Sequence, residues 1–114
     1  MVAKRAYVPD RGDLVWLDLN PTKGHEQKGV RPALILSSKS YNAKAGLVLA
    51  CPVTSHAKGY PFEVAVSAGN VEGVVLVDQI RSLDFKERHA RRIAKVPARV
   101  IEEIQQYLKK LVLE

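Results

Sequence analysis

Arg31 stands where a polar run, PTKGHEQKGV, gives way to an apolar one, ALILSS, and it follows Glu26 and Lys28 in that run. Two other short stretches carry a similar mixture of groups. Thr54, Ser55, His56 and Lys58 follow the apolar run LVLACPV, and Asp78, Gln79 and Arg81 follow GVVLV. A cation, a carboxylate, a hydroxyl and an amide brought together would suit a phosphodiester. RNA brings its own nucleophile, the 2′-OH. Cutting it needs a group to take that proton, a group to help the 5′ oxygen leave, and fixed positive charge beside the phosphorane. That requirement is met without a metal or a cofactor.

Other chemistries lack their residues. His25, His56 and His89 stand alone, and nothing with the spacing of H-E-x-x-H or C-x-x-C occurs, so no metal site is expected. Nucleotide-cofactor and hydrolase readings lose support with the absence of G-x-G-x-x-G, a P-loop and G-x-S-x-G. The candidate residues also have plain structural readings. An arginine at a strand end pairs with surface carboxylates, a threonine after a strand is a turn residue, and RHARR is a solvated edge that discourages aggregation. Trp16 alternates with core positions and reads as packing rather than as a platform for bases.

The elements that must position these groups are short strands. DLVWLDL, Asp13 to Leu19, alternates after the turn signal Arg11-Gly12, with Val15 and Leu17 on one face and Leu14 and Trp16 on the other. RPALILSS forms a second strand with its proline at the start, where the missing N–H does least harm. The roughly ten residues between these strands exceed the usual hairpin loop and ask for a function. KSYNAKAG reads as a polar connection with room for one helical turn, LVLACPVT as a third strand and FEVAVS as a fourth. AGNVEG then turns the chain into GVVLVDQIRSLD, read as a hairpin partner, and Arg88 to Val96 can add an edge strand.

From Pro97 the period changes. Val100, Ile101, Ile104, Leu108, Leu111 and Val112 recur at helical spacing, with Glu102 and Glu103 early and Lys109 and Lys110 late, as the helix dipole favours. Short strands with one terminal helix predict a small, mainly β, strongly bent antiparallel barrel capped by that helix.

The 114 residues and 12.6 kDa are sufficient for a single domain over 1–114 with its own core. The lone Cys51, inside LVLACPV, excludes an internal disulfide and reads as a buried thiol of a reducing cytoplasm. MVAKRAYVPD is too polar for a secretory segment, and no run approaches the ~20 apolar residues of a membrane span. A soluble, cytoplasmic protein without a membrane partner is expected. The net charge of +6 and pI near 9.6 favour anionic partners.

RGDLVWLDLNPTKGHEQKGVRPALILS, CPVTSHAKGYPFEV and GVVLVDQIRSLD, in that order, resemble the MazF/PemK family of bacterial toxins, most of all its enteric MazF branch. The likeness runs from about Val8 to Asp84. It implies a homodimer with the SH3-like barrel of the MazF/PemK/CcdB-like form, neutralised by an acidic MazE/PemI-like antitoxin. It also implies metal-independent cleavage of single-stranded RNA at a short word, to 2′,3′-cyclic phosphate and 5′-hydroxyl ends. The family's catalytic arginine and threonine fall on Arg31 of G-x-R-P and Thr54 of P-V-T, and the loop glutamate of H-E-Q falls on Glu26.

A guanidinium offers donors and no acceptor, so Arg31 is assigned to charge stabilisation, Thr54 to a hydrogen bond on the scissile phosphate, and Glu26 to the base or to loop positioning. Lys28, Asn42, Ser55, His56, Lys58, Gln79 and Arg81 are the candidate RNA contacts, since splayed bases are read on their polar edges. The likeness to the enteric branch makes ACA a reasonable cleavage word. Two other functions stay open: a gyrase-poisoning toxin of the same fold, against which the H-E-Q-x-G-x-R-P loop argues, and a noncatalytic RNA-binding module.

Overall fold

The computed structural model describes residues 6–20 and 29–114. Glu26 and Lys28 therefore lie outside the described residues. Seven strands form one curled antiparallel sheet: β1 (Asp13–Asp18), β2 (Val30–Ile35), β3 (Val48–Thr54), β4 (Glu63–Ala68), β5 (Val71–Leu76), β6 (Arg81–Leu83) and β7 (Arg91–Lys95). Helix α1 (Lys39–Ala45) joins β2 to β3, and α2 (Ala98–Leu113) follows β7. The strand order is β4-β5-β3-β2-β1-β7, with β6 on β3. This is the expected mainly β fold with a terminal helix, in the form of a half-barrel.

The alternation of β1 separates two cores. Leu14 joins Leu34, Cys51, Val53, Val64, Val75 and the α2 residues Val100 and Ile104. Val15 and Leu17 join Ala33, Ile35, Val48, Ala50, Leu83 and Phe85 on the other face. Burying each of the larger aliphatic side chains stabilises the fold by about 1.5–3 kcal/mol. Trp16 ends up 36% exposed, opposite Pro32 on one side and Arg91 on the other. On α2, Val100 and Ile104 are buried and Tyr107 meets Phe62 edge-on at 5.7 Å, whereas Leu111 and Val112, expected on the same apolar stripe, are exposed.

The run GVVLVDQIRSLD is not one strand. It breaks at a 3-10 turn, Val77–Gln79, into β5 and β6, which pair with opposite ends of β3: β5 with Val53 and Thr54, β6 with Val48 to Ala50. Buried Val77 fixes the turn in the core. KSYNAKAG is likewise more ordered than expected. Ser38 caps α1 by accepting from Tyr41 N–H at 3.3 Å, and Gly46, at φ 72°, ends it in the left-handed region that glycine adopts without cost.

The edge strand β7 is tied to the start of β1 by charge. Lys95 Nζ and Arg92 Nε lie 3.4 and 3.6 Å from Asp13 Oδ1, and the Tyr7 hydroxyl donates to Asp13 Oδ2 at 2.6 Å. Burial, then the bond to Asp13, push the Tyr7 hydroxyl far above its ordinary pKa.

Cys51 is fully buried, its Sγ 3.8 Å from Val77 O, and burial followed by the nearby Asp78 charge pushes its thiol up to about 12. Only about 10⁻⁴ of it is thiolate at pH 8, and thiolate is the reactive form. Native protein is expected to leave a thiol-reactive chromogen untouched for hours at pH 8, and to react stoichiometrically once unfolded in urea. Rapid reaction of the folded protein would contradict this burial.

Candidate active site

β3 carries Thr54 at its last position, and β2 carries Arg31 at its second. In the β2–β3 ladder Ala33 pairs with Pro52. Arg31 and Thr54 each lie two residues beyond the Ala33–Pro52 end of that ladder, at positions that strand alternation assigns to one face. On its other side Arg31 is opposite buried Leu17 of β1, so the exposed guanidinium springs from backbone held in the sheet. Thr54 is 6% exposed, and its Oγ1 accepts from His56 N–H at 3.2 Å. The hydroxyl proton is left to donate outward.

A cavity of about 330 Å³ opens beside Thr54, lined also by His56, Lys58, Tyr60, Glu63, Leu76, Asp78 and Gln79. The structure thus gathers four predicted residues, Thr54, His56, Lys58 and Gln79, from the end of β3, the β3–β4 loop and the 3-10 turn around one space. Arg31 does not line this cavity.

Two residues here, Glu63 and Tyr60, were missed as site residues in the sequence. Glu63 at the start of β4 accepts from Lys58 N–H at 3.2 Å and Gly59 N–H at 3.1 Å, so it folds the β3–β4 loop back over the cavity. Gly59, at φ 73°, makes that turn. Tyr60 is 60% exposed and presents a ring to the opening. Asp78, singled out in the sequence beside Gln79, adds a carboxylate to the lining. The available signal was S-H-A-K-G-Y-P-F-E, a breaker-rich loop followed by an acid able to bind loop amides.

Other predicted residues go elsewhere. Ser55 alternates away from Thr54 and lines a separate cleft of about 700 Å³ with Ala57, Gly73, Arg99 and Glu103. This larger cleft lies under the start of α2 and lacks the site's residues, so size does not locate the chemistry. Arg81 sits on β6 opposite Ala50, outside the cavity, and among the described residues its buried Nη1 has no acceptor.

Asn42 is a correction. It is fully buried on α1, its Nδ2 donating to Pro9 O at 2.8 Å and Ser37 O at 3.1 Å while its Oδ1 accepts from the Ser37 hydroxyl. With both ends of its amide engaged it cannot read a base; it fastens α1 to the segment before β1. Asn42→Ala is expected to cost about 2–4 kcal/mol, since it strands buried carbonyls. The folded fraction should cut RNA at the wild-type rate, and chemical denaturation beside a cleavage assay checks both parts.

Among the described residues no group of three or more His, Cys, Asp or Glu is placed to hold a metal ion. Fold and site together define a half-barrel protein with an arginine, a threonine and a polar cavity suited to a phosphodiester at one rim of its sheet. The chain belongs to the PemK-like, MazF-like toxins of type II toxin–antitoxin systems, whose family profile matches residues 10–112. It is 51% identical over 86 residues to the endoribonuclease toxin MazF of Escherichia coli K12, covering 75% of this chain and 78% of that protein. The crystal structure of MazF from Deinococcus radiodurans superimposes with a TM-score of 0.89 at 55% identity, over 94% of this chain and 98% of that one. A MazE–MazF crystal structure from the same organism gives 0.84 at 55% identity, over 94% and 97% of the two chains.

Proposed function

We propose that this chain, a MazF-like endoribonuclease toxin of a toxin–antitoxin system, cuts single-stranded RNA at a short word without a metal and so arrests translation. What supports this reading is that Arg31 and Thr54 each lie two residues beyond the Ala33–Pro52 end of the β2–β3 ladder, with the cavity of His56, Lys58 and Gln79 opening beside Thr54. In the reaction the 2′-oxygen bonds to phosphorus as its proton passes to a base, and the P–O5′ bond breaks as O5′ gains a proton. The products are a 2′,3′-cyclic phosphate and a 5′-hydroxyl.

Arg31 holds the equatorial oxygens as their charge grows, with two N–H donors in a fork that matches a phosphate. The Thr54 hydroxyl donates to the same group, its orientation fixed by the His56 amide. Glu26 takes the 2′-proton or orders the loop that meets the RNA. If Glu26 is the base, Glu26→Gln lowers the cleavage rate about 10²-fold or more and removes the acidic limb of the pH–rate profile. Near-normal cleavage with an unchanged profile removes Glu26 from that role.

Lys58, Gln79 and the exposed ring of Tyr60 contact the bases, the ring by stacking at about 1–3 kcal/mol per base. Lys28, His56 and Arg81 add positive or polar contacts to the strand, and ACA is the expected word. The MazE–MazF complexes of the similar Deinococcus protein support an antitoxin partner, and the charge of +6 supports an acidic, extended segment on a homodimer. No described helix is long and apolar enough to cross a membrane. We place the protein in the bacterial cytoplasm as a single domain.

Incubating the protein in EDTA with a long mixed-sequence RNA, and mapping the new ends, tests this reading. Discrete cuts at one word with 5′-hydroxyl ends are expected. Binding without cuts would make the chain an RNA-binding module, and neither binding nor cuts would redirect the search to gyrase.

A further inference from the structure

The long β1–β2 loop leaves β1 after Asp18 and returns at Val30, one residue before Arg31. Its two ends are tied to each other. Leu19 N–H donates to Gly29 O at 2.9 Å, Gly29 N–H to Asn20 Oδ1 at 3.1 Å, and Asn20 N–H to Asp18 Oδ1 at 3.0 Å. These bonds close the stem just beyond the last β1–β2 pair, Asp18 with Val30.

Arg88 ties this stem to a distant part of the chain. From the β6–β7 connection its Nη1 donates to Asp18 O at 3.0 Å and Asn20 O at 2.7 Å, while Asp18 N–H donates to Arg88 O at 3.0 Å. One guanidinium nitrogen therefore bridges two carbonyls where the chain departs from β1. Arg88 is itself held, its N–H donating to Asp84 O at 3.0 Å, while Asp84 Oδ1 accepts from the N–H groups of Lys86 and Glu87 at 3.1 Å. Charge-assisted bonds of this kind are about twice as strong as neutral ones.

We propose that Arg88 is a positioning residue for RNA cleavage: it clamps the stem of the β1–β2 loop and thereby steadies the end of the β1–β2 ladder from which Arg31 projects. This rests on the catalytic reading of Arg31 above. Arg88 touches no reacting atom in this role; it acts through the carbonyls of Asp18 and Asn20. Misplacing a catalytic group by about 1 Å costs on the order of 10²-fold in rate, so a clamp at the stem has that much to protect. The basic run RHARR, in which Arg88 lies, is then not merely a solvated edge.

The test compares Arg88→Met and Arg88→Lys with wild type in the full chain. Single-turnover cleavage by Arg88→Met is expected to fall about 30- to 100-fold. Affinity for an RNA with a 2′-O-methyl group at the cut site should change less than about threefold, since the clamp serves geometry more than binding. Amide exchange at Leu19 and Gly29 should quicken at least about tenfold while exchange in β3 stays as in wild type. Arg88→Lys keeps the charge without the planar fork and should restore part of both properties; it carries the same comparison if Arg88→Met does not fold.

Wild-type cleavage and exchange in Arg88→Met would overturn the clamp. So would weaker RNA binding whose salt slope is shallower by about one unit, with exchange unchanged, since that is a direct phosphate contact. A wild-type chain that cuts no RNA would instead overturn the functional reading on which the proposal rests.

Discussion

Arg31→Ala is expected to cut RNA about 10³-fold more slowly than wild type, with the fold intact. Deleting one positioned donor from a developing oxyanion costs about 10²–10³ in rate, and arginines that meet a transferring phosphoryl group are worth about 10³–10⁵. Arg31 is placed for such a role: its backbone lies in β2 opposite buried Leu17, beyond the end of the β2–β3 ladder that is nearer Thr54. A group on a strand holds its geometry better than one on a loop. Because the side chain is exposed, its loss should cost no more than about 1 kcal/mol. Arg31→Lys retains the charge and loses the two-pronged match to phosphate, so a deficit of about 10² should remain. Single-turnover rates with thermal melts of both variants check this. Cleavage by Arg31→Ala within threefold of wild type would move the chemistry to another residue.

Gly73→Ala should have the second large effect, through Thr54. Gly73 lies on β5, and a Cβ placed there would stand 2.2 Å from Thr54 O and 2.9 Å from Thr54 C. Both are backbone atoms, so no side chain can turn aside to make room. The strands must part by most of an ångström, at the position that delivers the Thr54 hydroxyl. Overpacking of this kind costs about 1–3 kcal/mol, and the displaced hydroxyl should lower cleavage by about 10²-fold in the protein that still folds.

Gly69→Ala separates the two effects. Gly69 has φ 58° and its Cβ would press on Ile93 Cγ2 at 3.0 Å, where the β4–β5 turn meets β7. That variant should lose comparable stability and, once corrected for folded fraction, cut at the wild-type rate. Equal activity losses in the two variants would mean that Gly73 has no special hold on Thr54.

How much of this was legible beforehand varies with the range of the forces involved. β1 alternates in the sequence as it does in the sheet, and the change of period at Pro97 marks α2, because both patterns arise from local backbone geometry. The break of GVVLVDQIRSLD into β5 and β6 carries no glycine or proline at the turn. It exists because β3 offers pairing at both ends and Val77 is buried between them, which is a property of the sheet. Asn42 looked like an available amide. Only the packing of α1 against Pro9 and Ser37 uses it up. Ser55 lies next to Thr54 and faces a different cleft, since adjacent residues on extended chain point oppositely.

The sequence by itself determined most of the elements, the family motifs, and the types of group available to a phosphodiester. Periodicity, turn residues and motif spacing are written in neighbouring positions. Which of those groups meet was decided by tertiary structure alone. Arg31 and Thr54 come to the same end of the β2–β3 ladder, Glu63 folds back on the amides of Lys58 and Gly59, and Arg88 reaches the carbonyls of Asp18 and Asn20 from the far part of the chain. Register and long-range contacts follow from burying both faces of the sheet at once, and no local stretch of sequence contains that sum.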